Sequence, residues 1–289
     1  MGGKKSKSEA PPPPLLSNPW RTINWGRRQD ALQYVTDYKP QTEGQQLRIL
    51  LHGQTGAGKS SFINSVQSVL LGRMYSHALV DNTSHDTFTK KYTTYKIQIG
   101  SSDAFYPFVF NDIMGLDPKK GVSVEDVKLA LKGHVKEGYK FNPESRLSED
   151  DPFYNKSPTA NDKVHVLVCV IDANTVTSMS DSILHKIRDI RTEASQLGIP
   201  QVAIFTKPDE VCAEIKADIK NVYKARSLKE KMERFSANMG IPMNCIFPVK
   251  NYHNEIDLND DVDSLILNAL RNIINFGHDC INFSKSSKR

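Results

Sequence analysis

Short apolar runs alternate along the chain with longer stretches in which apolar positions recur at helical spacing. The short runs predict strands at 47–52, 92–99, 107–111, 163–171, 201–205 and 245–249. The longer ones predict helices at 60–71, 180–197, 227–239 and 261–280. In the first of these helices Phe62, Val66, Val69 and Leu70 share one face. The third ends at Gly240, which suits a left-handed cap, and Pro242 bars its continuation. Alternation of strand and helix implies an α/β fold with a mainly parallel sheet covered by helices on both faces. Ligands of such sheets bind at the carboxyl ends of the strands.

Three segments stand outside this alternation. Residues 1–18 are a basic, glycine-led stretch followed by Pro11 to Pro14, which predicts a disordered or polyproline II tail. Residues 19–46 hold both tryptophans, Trp20 and Trp25, and a short amphipathic helix at 27–38 with Leu32, Val35 and Tyr38 apolar. They form an N-terminal extension expected to pack on the main domain at 47–282. From about 117 to 162 the chain is polar and carries Pro118, Pro143, Pro152 and Pro158. Within it Ser123-Val124-Glu125-Asp126 has the form of a capping box opening a helix through His134. A stretch this long inside a domain is expected to be a functional insertion or partly mobile. Residues 283–289 make a basic end.

The 289 residues, 38% of them hydrophobic, suit one large domain with appendages or two small ones. No run reaches membrane-spanning length, and the start has no signal-peptide core. Cys169, Cys212, Cys245 and Cys280 lack C-x-x-C spacing. They indicate neither zinc nor a disulfide framework, and a reduced, intracellular setting is expected. The net charge of +5 is mild and partly terminal, in Lys4, Lys5, Lys7, Lys285, Lys288 and Arg289. Elsewhere basic and acidic residues interleave, so nucleic-acid binding is not indicated.

The chemistry begins at Gly53-Gln54-Thr55-Gly56-Ala57-Gly58-Lys59-Ser60, a G-x-x-x-x-G-K-S phosphate loop between a predicted strand and a predicted helix led by Ser61. Its glycines let backbone N–H groups approach phosphate oxygens, and the helix N-terminus adds a positive dipole end. Lys59 can bridge β- and γ-phosphates, and the Ser60 hydroxyl can ligate Mg²⁺. Three later elements choose the base. Phe108-Val109-Phe110-Asn111-Asp112-Ile113-Met114-Gly115 ends in D-x-x-G, where Asp112 reaches Mg²⁺ through water and the Gly115 N–H senses the γ-phosphate. After the strand at 201–205 comes Thr206-Lys207-Pro208-Asp209, a T-K-x-D in which threonine stands for the commoner asparagine. The Asp209 carboxylate can accept from guanine N1–H and the 2-amino group, a donor pair adenine lacks. The Lys207 stem can lie over the base. Phe247-Pro248-Val249-Lys250 sits where a backbone N–H of Val249 or Lys250 could meet the base O6. The order of the four elements is that of a P-loop NTPase of the G-domain type, binding GTP or GDP with Mg²⁺. A threonine completing the Mg²⁺ shell is expected between Asp81 and Thr94, with Thr87 preferred, then Thr89, over Thr83, Thr93 and Thr94.

The chain resembles the interferon-induced protein 44 family of vertebrate GTP-binding proteins. The resemblance rests on Pro19-Trp20-Arg21 with Trp25, on 47–53 with 56–62, on Thr87-Phe88-Thr89-Lys90-Lys91-Tyr92, on Asp112-Ile113-Met114-Gly115-Leu116 and on Val249-Lys250-Asn251-Tyr252. It covers the chain from about Asn18 onward. Larger members have an additional N-terminal domain that this chain is expected to lack. The resemblance implies an interferon-inducible, cytoplasmic, antiviral or immune-regulatory role.

Hydrolysis is a separate question. Leu116 occupies the position where Ras-like GTPases have a water-orienting glutamine. Asp117 is next but short, and Thr55 replaces a small glycine. His52 reads as a strand-end histidine rather than a catalytic one. Slow intrinsic turnover is expected. Two classes stay open: an enzyme activated by self-association across the nucleotide face, or a GTP-dependent switch or scaffold with negligible turnover. Finally, Met1-Gly2-Gly3-Lys4-Lys5-Ser6 fits the N-myristoylation pattern at Gly2. Lys4, Lys5 and Lys7 supply the basic second signal for a membrane surface, with Pro11 to Pro14 as spacer.

Overall fold

The computed structural model describes residues 12–77, 90–101 and 103–286. In chain order the elements are α1 (Arg28–Thr36), β1 (Leu47–His52), α2 (Lys59–Leu71), β2 (Thr93–Gln98), β3 (Phe105–Asp112), α3 (Val124–Lys132), β4 (Val166–Asp172), α4 (Asp181–Gln196), β5 (Gln201–Thr206), α5 (Ala213–Ala217), α6 (Arg226–Met239), β6 (Ile246–Val249) and α7 (Asp260–Ser286). The strands form one six-stranded sheet in the order β2-β3-β1-β4-β5-β6. All neighbours are parallel except β2 with β3. This is the α/β architecture that the apolar pattern predicts.

The period of two along the strands divides the core into two layers. Leu47, Ile49 and Leu51 of β1 join Phe108 and Phe110 of β3 and Val166, Val168 and Val170 of β4 beneath α1, α2 and α7. Leu50, Leu167, Cys169 and Ile171 face the other way, toward α3, α4, α6 and the insertion. Each buried Phe or Leu contributes roughly 1.5–3 kcal/mol. Because β1 is covered on both faces, four of its six residues are apolar, Arg48 and His52 being the exceptions, and it runs directly into the phosphate loop.

Both edges of the sheet are closed. On β2 the backbone N–H of Thr94 donates to Glu137 at 2.9 Å, and Gln67 pairs with both the N–H and the carbonyl of Gln98 at 2.9 and 3.0 Å. On β6, Pro248 removes a donor, and Arg21 donates to the Ile246 carbonyl at 2.6 Å and to that of Met243. The Arg21 guanidinium also lies over Trp20, Tyr223 and Phe247 at 5.0, 5.6 and 5.6 Å. The extension is thus fastened to the domain by a cation among rings. Further on, α1 packs on α7, where Arg28 Nε pairs with Asp263 at 2.7 Å and Asp260 at 3.3 Å.

Four expectations are corrected. Residues 12–18 are docked rather than disordered. Proline carbonyls keep their acceptor strength, so Pro14 accepts from the Arg226 N–H at 3.0 Å, while the Leu16 N–H donates to Lys224 at 2.8 Å. The strand expected from Lys163 begins only at Val166, because the Arg48 N–H that a strand carbonyl would meet is taken by a side chain. His165 Nδ1 accepts from the Arg48 N–H at 2.9 Å. The helix opened by Ser123 stops at Lys132, since Gly133 takes φ 84° and a Cβ there would lie 2.9 Å from the backbone of Asp162. The capping box is half made. Ser123 Oγ accepts from the Asp126 N–H at 3.0 Å, but the buried Asp126 carboxylate turns into the insertion and accepts from Leu147 N–H at 2.8 Å and Tyr139 Oη at 3.3 Å. The insertion is ordered by this carboxylate and by pairing of 138–141 with 90–92, including Tyr92 N–H to Tyr139 O at 2.8 Å.

Arg21→Ala removes two charge-assisted hydrogen bonds and the ring contacts together. It is expected to lower the unfolding free energy by about 2–4 kcal/mol. Urea unfolding followed by tryptophan fluorescence measures this, since both tryptophans lie in the extension. A change under about 0.5 kcal/mol would show that Arg21 does not fasten the segment.

Candidate functional site

The loop from Gly53 to Ser60 leaves the carboxyl end of β1 and enters α2. Gly53 has φ 142°, and a Cβ on it would lie 2.1 Å from the Val170 carbonyl of β4, so only glycine lets the chain turn there. Gly56 and Gly58 also have positive φ. Gly58 is the N-cap of α2 and brings no side chain to its first turn. Lys59 is only 7% exposed and folds back on the loop, donating to the carbonyls of Gly53 at 3.3 Å and Gln54 at 3.1 Å. Thr55 and Ser61 flank this hollow, and Ser61 also anchors Ser65 through its carbonyl at 2.7 Å.

At the end of β3, Ser60 Oγ donates to Asp112 Oδ2 at 2.5 Å. Asp112 is fully buried, and its Oδ1 has no partner among the described residues. Burial pushes this carboxyl up, opposed by Lys59 and by the Ser60 hydroxyl. A hydroxyl, a buried carboxylate and an orphaned oxygen at the mouth of a phosphate loop fit a hydrated Mg²⁺. Of the threonines expected to complete its shell, Thr83, Thr87 and Thr89 lie outside the described residues, as do Gly2, Lys4, Lys5 and Lys7. Thr93 donates to the Lys91 carbonyl at 3.5 Å, and Thr94 Oγ1 accepts from Asn111 Nδ2 at 2.8 Å. Both belong to the sheet edge.

The turn after Asp112 presses on the loop. A Cβ on Gly115 would lie 2.6 Å from the Thr55 backbone. The next residue exchanges backbone bonds with the loop: Leu116 N–H to Gly53 O at 2.9 Å and Thr55 N–H to Leu116 O at 3.1 Å. The Leu116 side chain is 1% exposed and packs in the core with Val122 and Val127. It is therefore turned away from the hollow as well as unable to hydrogen-bond. Asp117 is committed too. Its Oδ1 accepts from the Lys120 and Lys119 N–H groups at 2.8 Å each, which hold the carboxyl below its usual range.

The third part lies at the ends of β5 and β6. Thr206 is fully buried, and its hydroxyl contacts the Ala57 carbonyl at 2.8 Å and the Ile171 carbonyl at 3.1 Å. The threonine thus ties the phosphate loop to the sheet. Lys207 Nζ donates to Asp172 at 2.7 Å. Asp209 pairs with Lys250 at 3.5 Å, and Lys250 with Glu255 at 3.0 Å. Burial raises the Glu255 carboxyl, but the His253 N–H and Lys250 outweigh it and bring the pKa down to about 2. Val249 is buried and lies beside Thr206 in register. Two site residues were missed in the sequence. Asn251 Nδ2 donates to the Gly58 carbonyl at 3.0 Å, and Ser65 Oγ accepts from the Tyr252 N–H at 3.0 Å. Asn251 was visible as part of Val249-Lys250-Asn251-Tyr252, but its partner lies far away in the chain.

Comparison with known proteins follows this geometry. Over 246 residues the chain is 35% identical to interferon-induced protein 44 of Mus musculus, covering 85% of this chain and 58% of that protein. It is 34% identical over 249 residues to interferon-induced protein 44 of Homo sapiens, covering 86% and 56%. This region is therefore homologous to part of the interferon-induced protein 44 proteins. The human interferon-induced protein 44-like is 31% identical over 256 residues, covering 87% and 56%. The chain spans a little over half the length of the curated relatives it matches. No family model matches it. Among solved structures, Toc33 from Arabidopsis thaliana in complex with GDP and Mg²⁺ aligns over 88% of this chain and 93% of that one, at 12% identity and a TM-score of 0.48. Aquifex aeolicus Era bound to GDP.AlF4⁻ aligns over 79% and 56%, at 15% identity and a TM-score of 0.39.

Behind the phosphate loop, His52 is 2% exposed. Burial, with Lys59 nearby, lowers its pKa to about 3, so it stays neutral. Burial and then Arg48 lower His165 to about 4. In the unfolded chain both return to about 6.5. The unfolded state therefore takes protons first. Stability is full above about pH 6.5 and declines as pH falls toward the folded values, by up to about 1.4 kcal/mol per unit for each histidine. His52→Leu is expected to flatten the decline between pH 6 and 4.5, read from urea midpoints. An unchanged slope would show that His52 titrates normally in the fold.

Proposed function

We propose that this chain binds GTP and GDP with Mg²⁺ at the carboxyl edge of its sheet, and serves as a guanine-nucleotide-binding protein of the interferon-induced innate immune and antiviral response. The observation that carries the reading is the convergence of the phosphate loop, the Ser60–Asp112 pair and the 206–209 turn on adjacent strand ends. Lys59 exchanges its loop carbonyls for β- and γ-phosphate oxygens. The loop backbone from Gly53 through Ser61, which includes Gln54 and Thr55, wraps the phosphates, and its N–H groups not engaged within the fold donate to them. Ser60 and Asp112 hold Mg²⁺, with Thr87 proposed to complete its shell. The ion neutralises phosphate charge. Asp209 leaves Lys250 to accept from the guanine edge, and Gly115 N–H meets the γ-phosphate. The interferon-induced role comes from the names of the relatives, and the protein is proposed to act in the cytoplasm.

Turnover is proposed to be slow. The support is the buried Leu116, the capped Asp117 and the neutral His52. Association of two copies across the nucleotide face would supply a water-positioning group that Leu116, Asp117 and His52 do not offer. The second reading, a GTP-dependent switch or scaffold without significant turnover, is favoured by the same Leu116 placement. Acylation at Gly2, aided by Lys4, Lys5 and Lys7, would hold part of the protein reversibly at membranes. An intact-mass measurement of protein made in a myristoylation-competent cell decides it.

Denaturing purified protein and chromatographing the released nucleotide is expected to yield GDP or GTP. Asp209→Asn is expected to shift preference toward xanthine nucleotide. Lys59→Ala is expected to cost roughly 1.5–3 kcal/mol of affinity. Equal ATP and GTP affinities in the parent would sink the guanine assignment.

Single-turnover hydrolysis measured against protein concentration separates the two classes. A rate rising with concentration supports an enzyme activated by association, and a flat, negligible rate supports the switch. Leu116→Ala is expected to leave the dilute rate nearly unchanged. A collapse of fast hydrolysis in that variant would give Leu116 a role in the chemistry.

A further inference from the structure

The end of β4 carries a carboxylate that none of the sequence motifs includes. Asp172 follows the last apolar residue of that strand, and its side chain is 13% exposed. Both oxygens are engaged. Oδ2 accepts from Lys207 Nζ at 2.7 Å. Oδ1 accepts from the Asn174 N–H at 2.8 Å and from its amide Nδ2 at 3.1 Å. Asn174 Nδ2 also contacts Glu210 Oε2 at 3.1 Å, and the Ala173 N–H donates to the Thr206 carbonyl at 3.0 Å. The turn after β4 is therefore stitched to the turn after β5 on both sides of Lys207.

Lys207 is the one non-glycine residue with positive φ, 53°, among the described residues. A lysine in this region is disfavoured and persists where its surroundings over-determine it. Here the backbone is held by the Glu210 N–H donating to the Lys207 carbonyl at 3.1 Å, and the side chain by Asp172. The Lys207 side chain is 40% exposed. An ion pair this wet contributes little to folding. Its value lies in direction: a lysine stem otherwise samples many rotamers, and this one has a fixed far end.

We propose that Asp172 is a positioning residue for guanine selectivity, acting through Lys207. It rests on the guanine reading above. Asp209 supplies the hydrogen-bonding edge. Asp172 holds the Lys207 stem as a wall along the base, so the base enters a preorganised slot rather than ordering a loose side chain on arrival. Among the described residues the Asp172 carboxylate hydrogen-bonds Lys207 and Asn174 and no group of the phosphate loop, so its loss acts on the base and spares the phosphates.

The test is fluorescence titration of the full chain with N-methylanthraniloyl-GDP and N-methylanthraniloyl-ADP. Asp172→Ala is expected to weaken GDP binding about tenfold while ADP binding stays within about twofold, with thermal stability nearly unchanged. Lys207→Ala is expected to show the same pattern, and the double variant to be no weaker than Lys207→Ala alone. Asp172→Glu, which keeps the charge, should recover part of the loss. Asp172→Asn keeps an acceptor for Asn174 and carries the test if the alanine variant fails to fold. A folded Asp172 variant with an unchanged GDP to ADP ratio, or effects of Asp172 and Lys207 that simply add, would overturn the proposal. A parent that prefers guanine and loses that preference in Asp209→Asn keeps the guanine reading whatever Asp172 does. A parent without guanine preference removes both.

Discussion

The hydrogen bond from the Thr206 hydroxyl to the Ala57 carbonyl is the contact on which the site depends. It joins the end of β5 to the middle of the phosphate loop across a large separation in sequence. Asn251 adds a second tie at the Gly58 carbonyl, from the turn after β6. A glycine-rich loop has little stiffness of its own, since each glycine gives up much conformational freedom on ordering. The loop acquires its shape from neighbours that grip its carbonyls: Thr206 at Ala57, Asn251 at Gly58 and the Leu116 N–H at Gly53. The same bonds make the base turns and the phosphate loop one rigid object. A threonine in the place of the usual asparagine is then no defect. Its single hydroxyl reaches the loop carbonyl, and the Asn251 amide supplies a further grip.

The rim of the site is tuned by competition between burial and charge. Asp112 is buried beside a lysine and a hydroxyl, so its negative charge is stabilised by few groups and one oxygen is left over. Such an atom in a packed core is costly unless a cation answers it. At the other end Asp209, Lys250 and Glu255 neutralise one another in a partly exposed chain of ion pairs. Exposed pairs exchange partners at little cost. The turns that carry these pairs stay tied to the phosphate loop, and the pairs themselves can open to a ligand.

The regions outside the sheet show what apolar periodicity cannot convey. The insertion between α3 and β4 reads as a polar loop, yet one buried carboxylate, Asp126, gathers Ser123, Tyr139 and Leu147 into a fixed unit. The proline-rich strap looks like a tail by composition, yet its Pro14 carbonyl accepts from Arg226 and its Leu16 N–H donates to Lys224. In both cases a few hydrogen bonds to distant residues replace the missing apolar pattern. A rule based on neighbours in sequence has no access to them.

The sequence by itself determined the strands and helices of the sheet to within a few residues, because a strand buried on both faces must be a continuous apolar run and its covering helices must be amphipathic. It also determined the phosphate loop, since glycine, lysine and serine are set at fixed spacing by local geometry. The tertiary structure alone decided three things. It turned Leu116 into the core, because the backbone pairing with Gly53 and Thr55 orients the side chain. It made Thr206 and Asn251 clamps rather than base contacts. It brought Asp172 to Lys207, two residues on adjacent parallel strands whose separation in the chain hides their meeting in space. Each is a pairing across the sheet, and strand order is fixed by the packing of whole layers, which no local stretch of residues encodes.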